Sequence, residues 1–362
     1  MPTTQQWHDS SMLLACTRAG FENDAAAELT ERAAEAGLAG YCRTSIGTGL
    51  VELHSADGAP LWPLLEQQEF KALVFVRQWL AGSGWLTGLP ADDRLTPLLA
   101  ALPETGIFAD VLLEYPDTND GKALSRFCRG FGRAVRAALQ ERGALAPDAP
   151  WRLHLLFTDS ATVFPGVSPV ANSSPWHLGI PRLRMPGQAP SRSTLKLEEA
   201  LLTLLEQHER ERLLQPGGTA VDLGAAPGGW TWQLVRHGLH VTAVDNGPMD
   251  QALLDSGLVD HRRADGFRFR PTAPVDWLVC DMVEQPGRIL PLMSRWLTRG
   301  YCRQAVFNLK LPMKQRHATV RDGLHRLRGD LERAGLNMHV RCKQLYHDRE
   351  EVTVCVVPSS SP

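Results

Sequence analysis

The run VDLGAAPGGW, Val221 to Trp230, decides the fold of the C-terminal half of the chain. An apolar strand, TAVDLG, ends at Asp222 and Gly224; the glycines that follow let backbone approach a ligand before a helix begins near Trp230. Upstream lies a helix, STLKLEEALLTLLEQHERERLL, with Ser193 as its N-cap. Downstream come helix WTWQLVRHG, strand HVTAVD, strand VDWLVCD, helix RILPLMSRWLTRG, strand QAVFNLK, helix ATVRDGLHRLRGDLERAG, and the closing strands NMHVRCKQLYH and EVTVCVVP. Short apolar strands alternating with helices predict an α/β, doubly wound, largely parallel sheet of Rossmann-like type. Its ligand crevice opens at the carboxyl ends of the strands.

The first half reads differently. MLLACTRAG, the helical FENDAAAELTERAAEAG, YCRTSIGTGLVELHS and ALVFVRQWL suggest a small ferredoxin-like α+β layer over residues 1–80. A strand near VLLEYP, a helix from Lys122 to Arg142 and a strand WRLHLLFTD make a second unit over 81–175. From Phe164 to Ser191 the chain turns rich in Pro, Gly, Ser and Asn, which breaks regular structure and marks either a recognition loop or a domain boundary, the domain after it being taken as 176–362. At 362 residues, two or three domains are expected. No apolar run reaches the roughly 18 residues of a membrane span, and the polar N-terminus has no signal-peptide core, so a cytoplasmic location without membrane contact is expected. Seven scattered cysteines without a C-x-x-C pair argue against a disulfide framework and a zinc site.

The turn at 224–230 separates three cofactor classes. Gly224 and Gly229 have P-loop spacing, but Trp230 stands where the phosphate-binding lysine belongs, so a nucleoside triphosphate fails. Ala226 replaces the second glycine of a dinucleotide fingerprint and Pro227 stiffens the loop, which leaves NAD a second candidate. S-adenosylmethionine carries no phosphate and needs only close backbone approach plus carboxylates. Asp245 ends the second strand, where it would accept the ribose hydroxyls; Asp265 follows the third and would take the adenine amino group; Asp281 ends the fourth. Taken singly, each reads more readily as a helix cap or a solvated loop acid than as a ligand group. Their series along successive strand ends favours S-adenosylmethionine.

Two lysines are hard to explain structurally. Lys196 opposes the macrodipole in the first turn of its helix, and Lys310 ends an apolar strand at the crevice. Methyl transfer to a ribose 2′-hydroxyl needs a base, and a lysine held neutral by desolvation or by a second cation serves. Lys310 is the candidate base, with Lys196 as the second cation or as a ribose ligand. Asp281 and Glu351 would orient and balance charge. Individually, Lys310 reads as a solvated strand end and Glu351 as an edge-strand charge.

The motifs SRSTLKLEEA, VDLGAAPGGW, AVDNGPM, DGFRFRP, VCDMVE, FNLKLPMK and LYHDREEVTV together resemble the bacterial large-subunit ribosomal RNA cytidine 2′-O-ribose methyltransferase family, RlmM. RAGFE, FVRQW, PDTND and SPW-x-x-GIPRL extend the resemblance over nearly the whole chain. It implies a THUMP RNA-binding domain in the N-terminal region and a Rossmann-like methyltransferase domain after it. It implies a catalytic tetrad of Lys196, Asp281, Lys310 and Glu351, with Lys310 as proton acceptor. Cofactor contacts are implied at Ser193, Ala226, Pro227, Gly228, Gly229, Asp245, Asp265 and Asp281. The implied substrate is a cytidine in the peptidyl-transferase region of large-subunit (23S) rRNA, methylated before subunit assembly; no obligate protein partner is inferred from the sequence. Ala226 stands where some relatives carry cysteine, and the stretch before Met12 reads as an extension.

A net charge of −2 is unusual for a nucleic-acid binder, so RNA contact must use a local patch. Lys122, Arg126, Arg129, Arg133 and Arg136 recur at steps of three and four and share one helical face; a solvated face is the ordinary alternative. Two rival functions stay open at this level: a nicotinamide oxidoreductase, and a non-catalytic RNA-binding assembly factor that would need no tetrad.

Overall fold

Buried apolar strands build one sheet in each of two units, Met1–Pro181 and Arg182–Pro362, in a computed structural model that describes residues 5–103 and 106–359. The start of the polar stretch before Met12 lies outside the described residues. The part within them is more than an extension, since Trp7 is fully buried and His8 stacks on Trp62 with ring centroids 4.1 Å apart.

In the first unit, β1 (Met12–Cys16), β2 (Gly40–Thr44), β3 (Leu50–Ser55), β4 (Gln78–Gly82), β5 (Asp110–Glu114), β6 (Trp151–Asp159) and β7 (Thr162–Pro169) lie in the order β2-β3-β1-β4-β7-β6-β5. β4 is the joint: it pairs with β1 on one side and, through Ala81↔Val167 and Gly82↔Gly166, with β7 on the other. The position between residues 80 and 81 therefore falls inside a strand. Of the expected strand ALVFVRQWL only its end enters the ladder. The buried carboxylate of Glu28 takes the N–H groups of Val74, Phe75 and Val76, at 2.5, 2.8 and 3.2 Å, and gives those donors a partner outside the sheet. The Pro-rich stretch from Phe164 also begins differently from expectation, because Phe164 to Pro169 belong to β7. Burial of Val163, Phe164 and Val167 outweighs the ladder donors that Pro165 and Pro169 lack.

In the second unit, β8 (Thr219–Leu223), β9 (His240–Val244), β10 (Val259–Arg262), β11 (Val275–Cys280), β12 (Cys302–Lys310), β13 (Met338–Lys343) and β14 (Glu351–Pro358) take the order β10-β9-β8-β11-β12-β14-β13. The first five in that order are parallel, and β14 is inserted antiparallel between β12 and β13. This is the expected Rossmann-like, doubly wound α/β sheet. Strand order reverses between β8 and β11, so the crevice opens beyond the carboxyl end of β8, at the quoted turn.

The leading helix is shorter than its periodicity suggests. It runs Thr194–Leu204, and a second helix, Gln207–Leu213, follows. Glu206 and Glu209 form a reciprocal capping box that starts the second helix, and Arg341 binds both the Leu204 carbonyl, at 2.7 Å, and Glu209. Leu197, Ala200, Leu201 and Leu204 share the buried stripe of the first helix and pack with Trp230, Leu234, Trp277 and Val306. Lys196 flanks that stripe, at the edge nearer the strand ends.

Candidate active site

Strand register gathers the charged residues. Lys310 and Glu351 are paired across the β12–β14 ladder, and Asn308 and Thr353 are the next pair on the same face. Cys280 pairs with Phe307, which sets Asp281 beside Asn308. Lys196 then reaches in from its helix. Its Nζ donates to Asp281 Oδ1 at 3.1 Å and to Glu351 Oε1 at 2.6 Å. Three of the four expected tetrad residues are thus joined through Lys196. The fourth, Lys310, stands exposed at the strand end, opposite Glu351.

These contacts assign different electrostatic roles to the two lysines. Burial pulls the Lys196 ammonium down, but Asp281 and Glu351 push it up by more, so it stays a cation. Burial raises the Asp281 carboxyl; Lys196 holds it back, while Glu351 adds to the rise. Lys196 is therefore a fixed positive charge, held between two acids.

Three residues of this network carried no sequence signal. Asn308 Nδ2 donates to Asp281 Oδ1 at 2.6 Å, and Thr353 Oγ1 donates to Asn308 Oδ1 at 2.7 Å. Thr353 also lies 3.0 Å from Asp348 Oδ2. Asp348 is fully buried, and that burial, reinforced by the charge of Glu351, pushes its carboxyl well above the ordinary range. A raised carboxyl favours the protonated form, in which Asp348 donates to Thr353 and leaves the hydroxyl proton for Asn308. The chain Asp348, Thr353, Asn308, Asp281 is then continuous, and it orients the Asp281 carboxylate. Glu199, one turn along the helix from Lys196, takes the N–H groups of Tyr346 and His347 at 2.7 and 2.9 Å and anchors the loop leading to Glu351.

At the glycine turn, the helix Gly229–Arg236 starts immediately after Gly228, whose φ of +119° is left-handed backbone that favours glycine. A Cβ on Gly229 would collide with the hydroxyls of Ser191 and Ser193, so these serines lie directly against the turn. Ser193 occupies the cap position of its own helix but does not cap it. Its backbone is already helical there, and its hydroxyl bonds Ser191 at 2.7 Å. Asp245 accepts from Ala226 N at 3.1 Å and from Gly247 N at 2.7 Å, which ties the turn to the end of β9. Pro227 is exposed on the turn. Asp265 is exposed and accepts from Phe267 N at 2.9 Å; its neighbour Gly266 lies under Met282, which also covers Gly224. Asp245 thus touches the turn directly, and Asp265 neighbours it through Gly266 and Met282.

The most informative residue here is Asp222, whose role has no signal in the sequence pattern. Asp222 is buried at the end of β8; Thr231 donates to its Oδ2 at 2.7 Å, while its Oδ1 has no hydrogen-bond partner among the described residues. Burial pushes its carboxyl up to about 7, despite the Thr231 hydrogen bond that opposes the rise. A buried acceptor of this kind fits a ligand that brings a cation. The ammonium of S-adenosylmethionine meets that requirement, and the groups present at the turn suit the cofactor.

Family models match three stretches: an RlmM ferredoxin-like domain over residues 10–80, the N-terminal part of ribosomal RNA large subunit methyltransferase M over 93–169, and an FtsJ-like methyltransferase over 189–298. Ribosomal RNA large subunit methyltransferase M of Cellvibrio japonicus is 50% identical over 347 residues, covering 95% of this chain and 98% of the relative. That of Stenotrophomonas maltophilia is 50% identical over 350 residues, covering 96% and 97%. The chain belongs to the ribosomal RNA large subunit methyltransferase M family. It is an enzyme of that family, with an FtsJ-like methyltransferase fold in its second unit. The solved structure of TrmN from Thermus thermophilus aligns with 96% of this chain and 99% of its own, at 18% identity and a TM-score of 0.34.

In this member of the ribosomal RNA large subunit methyltransferase M family the basic stripe is narrower than its spacing suggests. Arg126, Arg129 and Arg133 stand exposed on the helix Ser125–Glu141, whose opposite side buries Cys128, Val135 and Leu139. Lys122 lies on a separate short helix, Asn119–Ala123. Arg136 bonds Asp110 Oδ1 at 2.6 Å and the Val111 carbonyl at 3.0 Å, so it serves its own sheet. No helix among the described residues is long and apolar enough to cross a membrane.

Proposed function

We propose that this enzyme methylates the ribose 2′-hydroxyl of a cytidine in the peptidyl-transferase region of large-subunit rRNA, in the cytoplasm and before the subunit is assembled. Lys310 is the proton acceptor. The observation that carries the reading is the joining of Lys196 to Asp281 and Glu351 directly beside Lys310. S-adenosylmethionine supplies the methyl group as an electrophilic sulfonium substituent. The backbone from Ala226 to Gly229, with Ser193, would hold it; Asp245 would take the ribose hydroxyls, Asp265 the adenine edge and Asp222 the ammonium. Lys310 Nζ receives the proton of the 2′-hydroxyl, while the fixed charge of Lys196 steadies the oxygen as negative charge develops on it. Asp281 and Glu351 keep Lys196 charged and in place, and the Asn308–Thr353–Asp348 chain keeps Asp281 in place. The test is methyl transfer to an unmodified rRNA transcript followed by nucleoside analysis. The product expected is 2′-O-methylcytidine, formed on the free transcript and not on assembled subunits.

Asp222 gives a prediction in pH. Its folded carboxyl sits at about 7, against an ordinary value of about 3.9, so folding favours its protonated form. The stability it contributes is complete below about pH 4 and is lost as pH rises through 7, a loss on the order of 4 kcal/mol above pH 8. Asp222→Asn should therefore raise Tm of the cofactor-free protein at pH 8 but not at pH 4, and weaken S-adenosylmethionine binding at least tenfold, to about one hydrogen bond to a charged group or beyond. Parallel Tm–pH curves for the two proteins would contradict this role.

RNA is proposed to meet the N-terminal unit at the segment 81–175, as a THUMP-type domain, through Arg126, Arg129 and Arg133. Reversing Arg129 and Arg133 to Glu should weaken rRNA binding and flatten its log–log salt slope by about 1.4, at 0.7 for each single-strand phosphate contact. S-adenosylmethionine affinity should not move. An unchanged salt slope would take this helix off the RNA surface.

A further inference from the structure

Of the large apolar side chains that stand exposed among the described residues, the two most exposed are Met313, at 94%, and Val283, at 77%. Isolated exposed apolar residues are ordinary. The position of these two is what distinguishes them. Val283 lies two residues beyond Asp281, on the loop that leaves β11, and Met313 lies three residues beyond Lys310, on the loop that leaves β12. β11 and β12 are neighbouring parallel strands, so both side chains emerge at the same carboxyl edge as the tetrad.

The Met313 loop is held at both ends. Leu311 N donates to the Glu350 carbonyl at 2.7 Å, one residue before Glu351. Gln315, at φ 57° and ψ 37°, occupies left-handed backbone as the cap of the helix Arg316–Arg333, a conformation that a non-glycine residue adopts at a cost. Arg316 bonds Glu350 at 2.9 Å, so the same residue anchors both sides of the loop. Pro312, Met313 and Lys314 are thereby pinned as an exposed tip. The tip offers an apolar, polarisable thioether beside an ammonium, and an unstacked nucleotide presents the complement of that pair, a π face beside a phosphate.

We propose that Met313 and Val283 form the apolar seat for the base of the nucleotide whose ribose is methylated, with Lys314 on the adjacent phosphate. A 2′-hydroxyl cannot reach Lys310 while its nucleotide stays stacked in an RNA helix, and an apolar seat replaces the lost stacking. The seat reads a base face and not its edge, so it orients the nucleotide without choosing which base it is. The residues are positioning groups, and they act on the reaction proposed above.

The experiment measures methyl transfer from labelled S-adenosylmethionine to an unmodified large-subunit rRNA transcript by the full-length enzyme. Met313→Ala should lower kcat/KM by up to about tenfold, the upper scale of one sulfur–aromatic contact, with S-adenosylmethionine Kd and Tm unchanged because the side chain is exposed. Met313→Leu should restore most of the loss and Met313→Gln should not. Lys314→Ala should raise KM and flatten its salt dependence at unchanged kcat. If the wild-type enzyme methylates the transcript and Met313→Ala matches it, or if Leu is as poor as Ala, the seat is wrong and the reaction stands. If the wild-type enzyme transfers no methyl to the transcript, the proposed reaction itself is wrong, and the seat falls with it.

Discussion

Lys310→Ala is expected to lower kcat for methyl transfer by roughly 100- to 10,000-fold, the range for loss of a positioned general base. Lys310 is exposed at the end of β12, so Tm should stay within about 1 °C of wild type, on the scale of a neutral surface change. Binding of S-adenosylmethionine should also persist, because the groups around the glycine turn are untouched. Lys310→Arg separates proton transfer from charge. A guanidinium stays protonated at any working pH and cannot accept the hydroxyl proton, so the arginine variant should be as inactive as the alanine variant. Recovery of activity with arginine would make Lys310 an electrostatic group and would leave the base unassigned.

Lys196→Met should affect both rate and stability. Its Nζ is 3.1 Å from Asp281 and 2.6 Å from Glu351, in a mostly buried setting, so the substitution leaves two carboxylates facing each other without a cation. Removing one partner of a fully buried pair costs about 3 to 5 kcal/mol, and the slight exposure of these side chains brings the expected cost to the lower end of that range. The cost depends on pH. Burial already raises the Asp281 carboxyl and Lys196 restrains that rise, so removing Lys196 raises it further. A raised carboxyl favours the folded state in acid and loses that advantage as pH climbs through its folded value. The destabilisation should therefore be large at pH 8 and small at pH 4, in a Tm series read against wild type. Adding Asp281→Asn should recover stability without recovering activity, and kcat should remain at least 100-fold low, as expected when a fixed charge at a developing oxyanion is lost. Equal Tm for Lys196→Met and wild type at pH 8 would contradict the cluster.

The parts of this site that were legible in the sequence are those whose meaning is local. VDLGAAPGGW identified a strand, a turn and a helix start, and the acids at 245, 265 and 281 could be placed because strand ends can be read from apolar runs. Lys196 and Lys310 drew notice because each breaks a local rule. Asn308, Thr353 and Asp348 did not, since FNLK and EVTV are ordinary strand sequences. Their importance comes from β14 running antiparallel between β12 and β13, which pairs Asn308 with Thr353 and Lys310 with Glu351. That register depends on contacts distant in sequence. Asp222 was missed for another reason, because its burial and its unpartnered oxygen exist only once β9 and β11 flank β8. The errors of outline have identifiable causes, one distant in sequence and one local. A carboxylate from another helix drew Val74 to Val76 out of the ladder, and the Glu206–Glu209 capping box divided a helix whose apolar periodicity runs straight through it.

The most direct test of the account is mass-spectrometric mapping of ribose methylation on large-subunit rRNA from cells lacking this gene, complemented with the wild-type chain or with Lys310→Ala. One 2′-O-methylcytidine of the peptidyl-transferase region should be missing, should return with the wild-type chain, and should stay missing with Lys310→Ala. An unchanged ribose-methylation map, or return of the mark with the alanine variant, would contradict it.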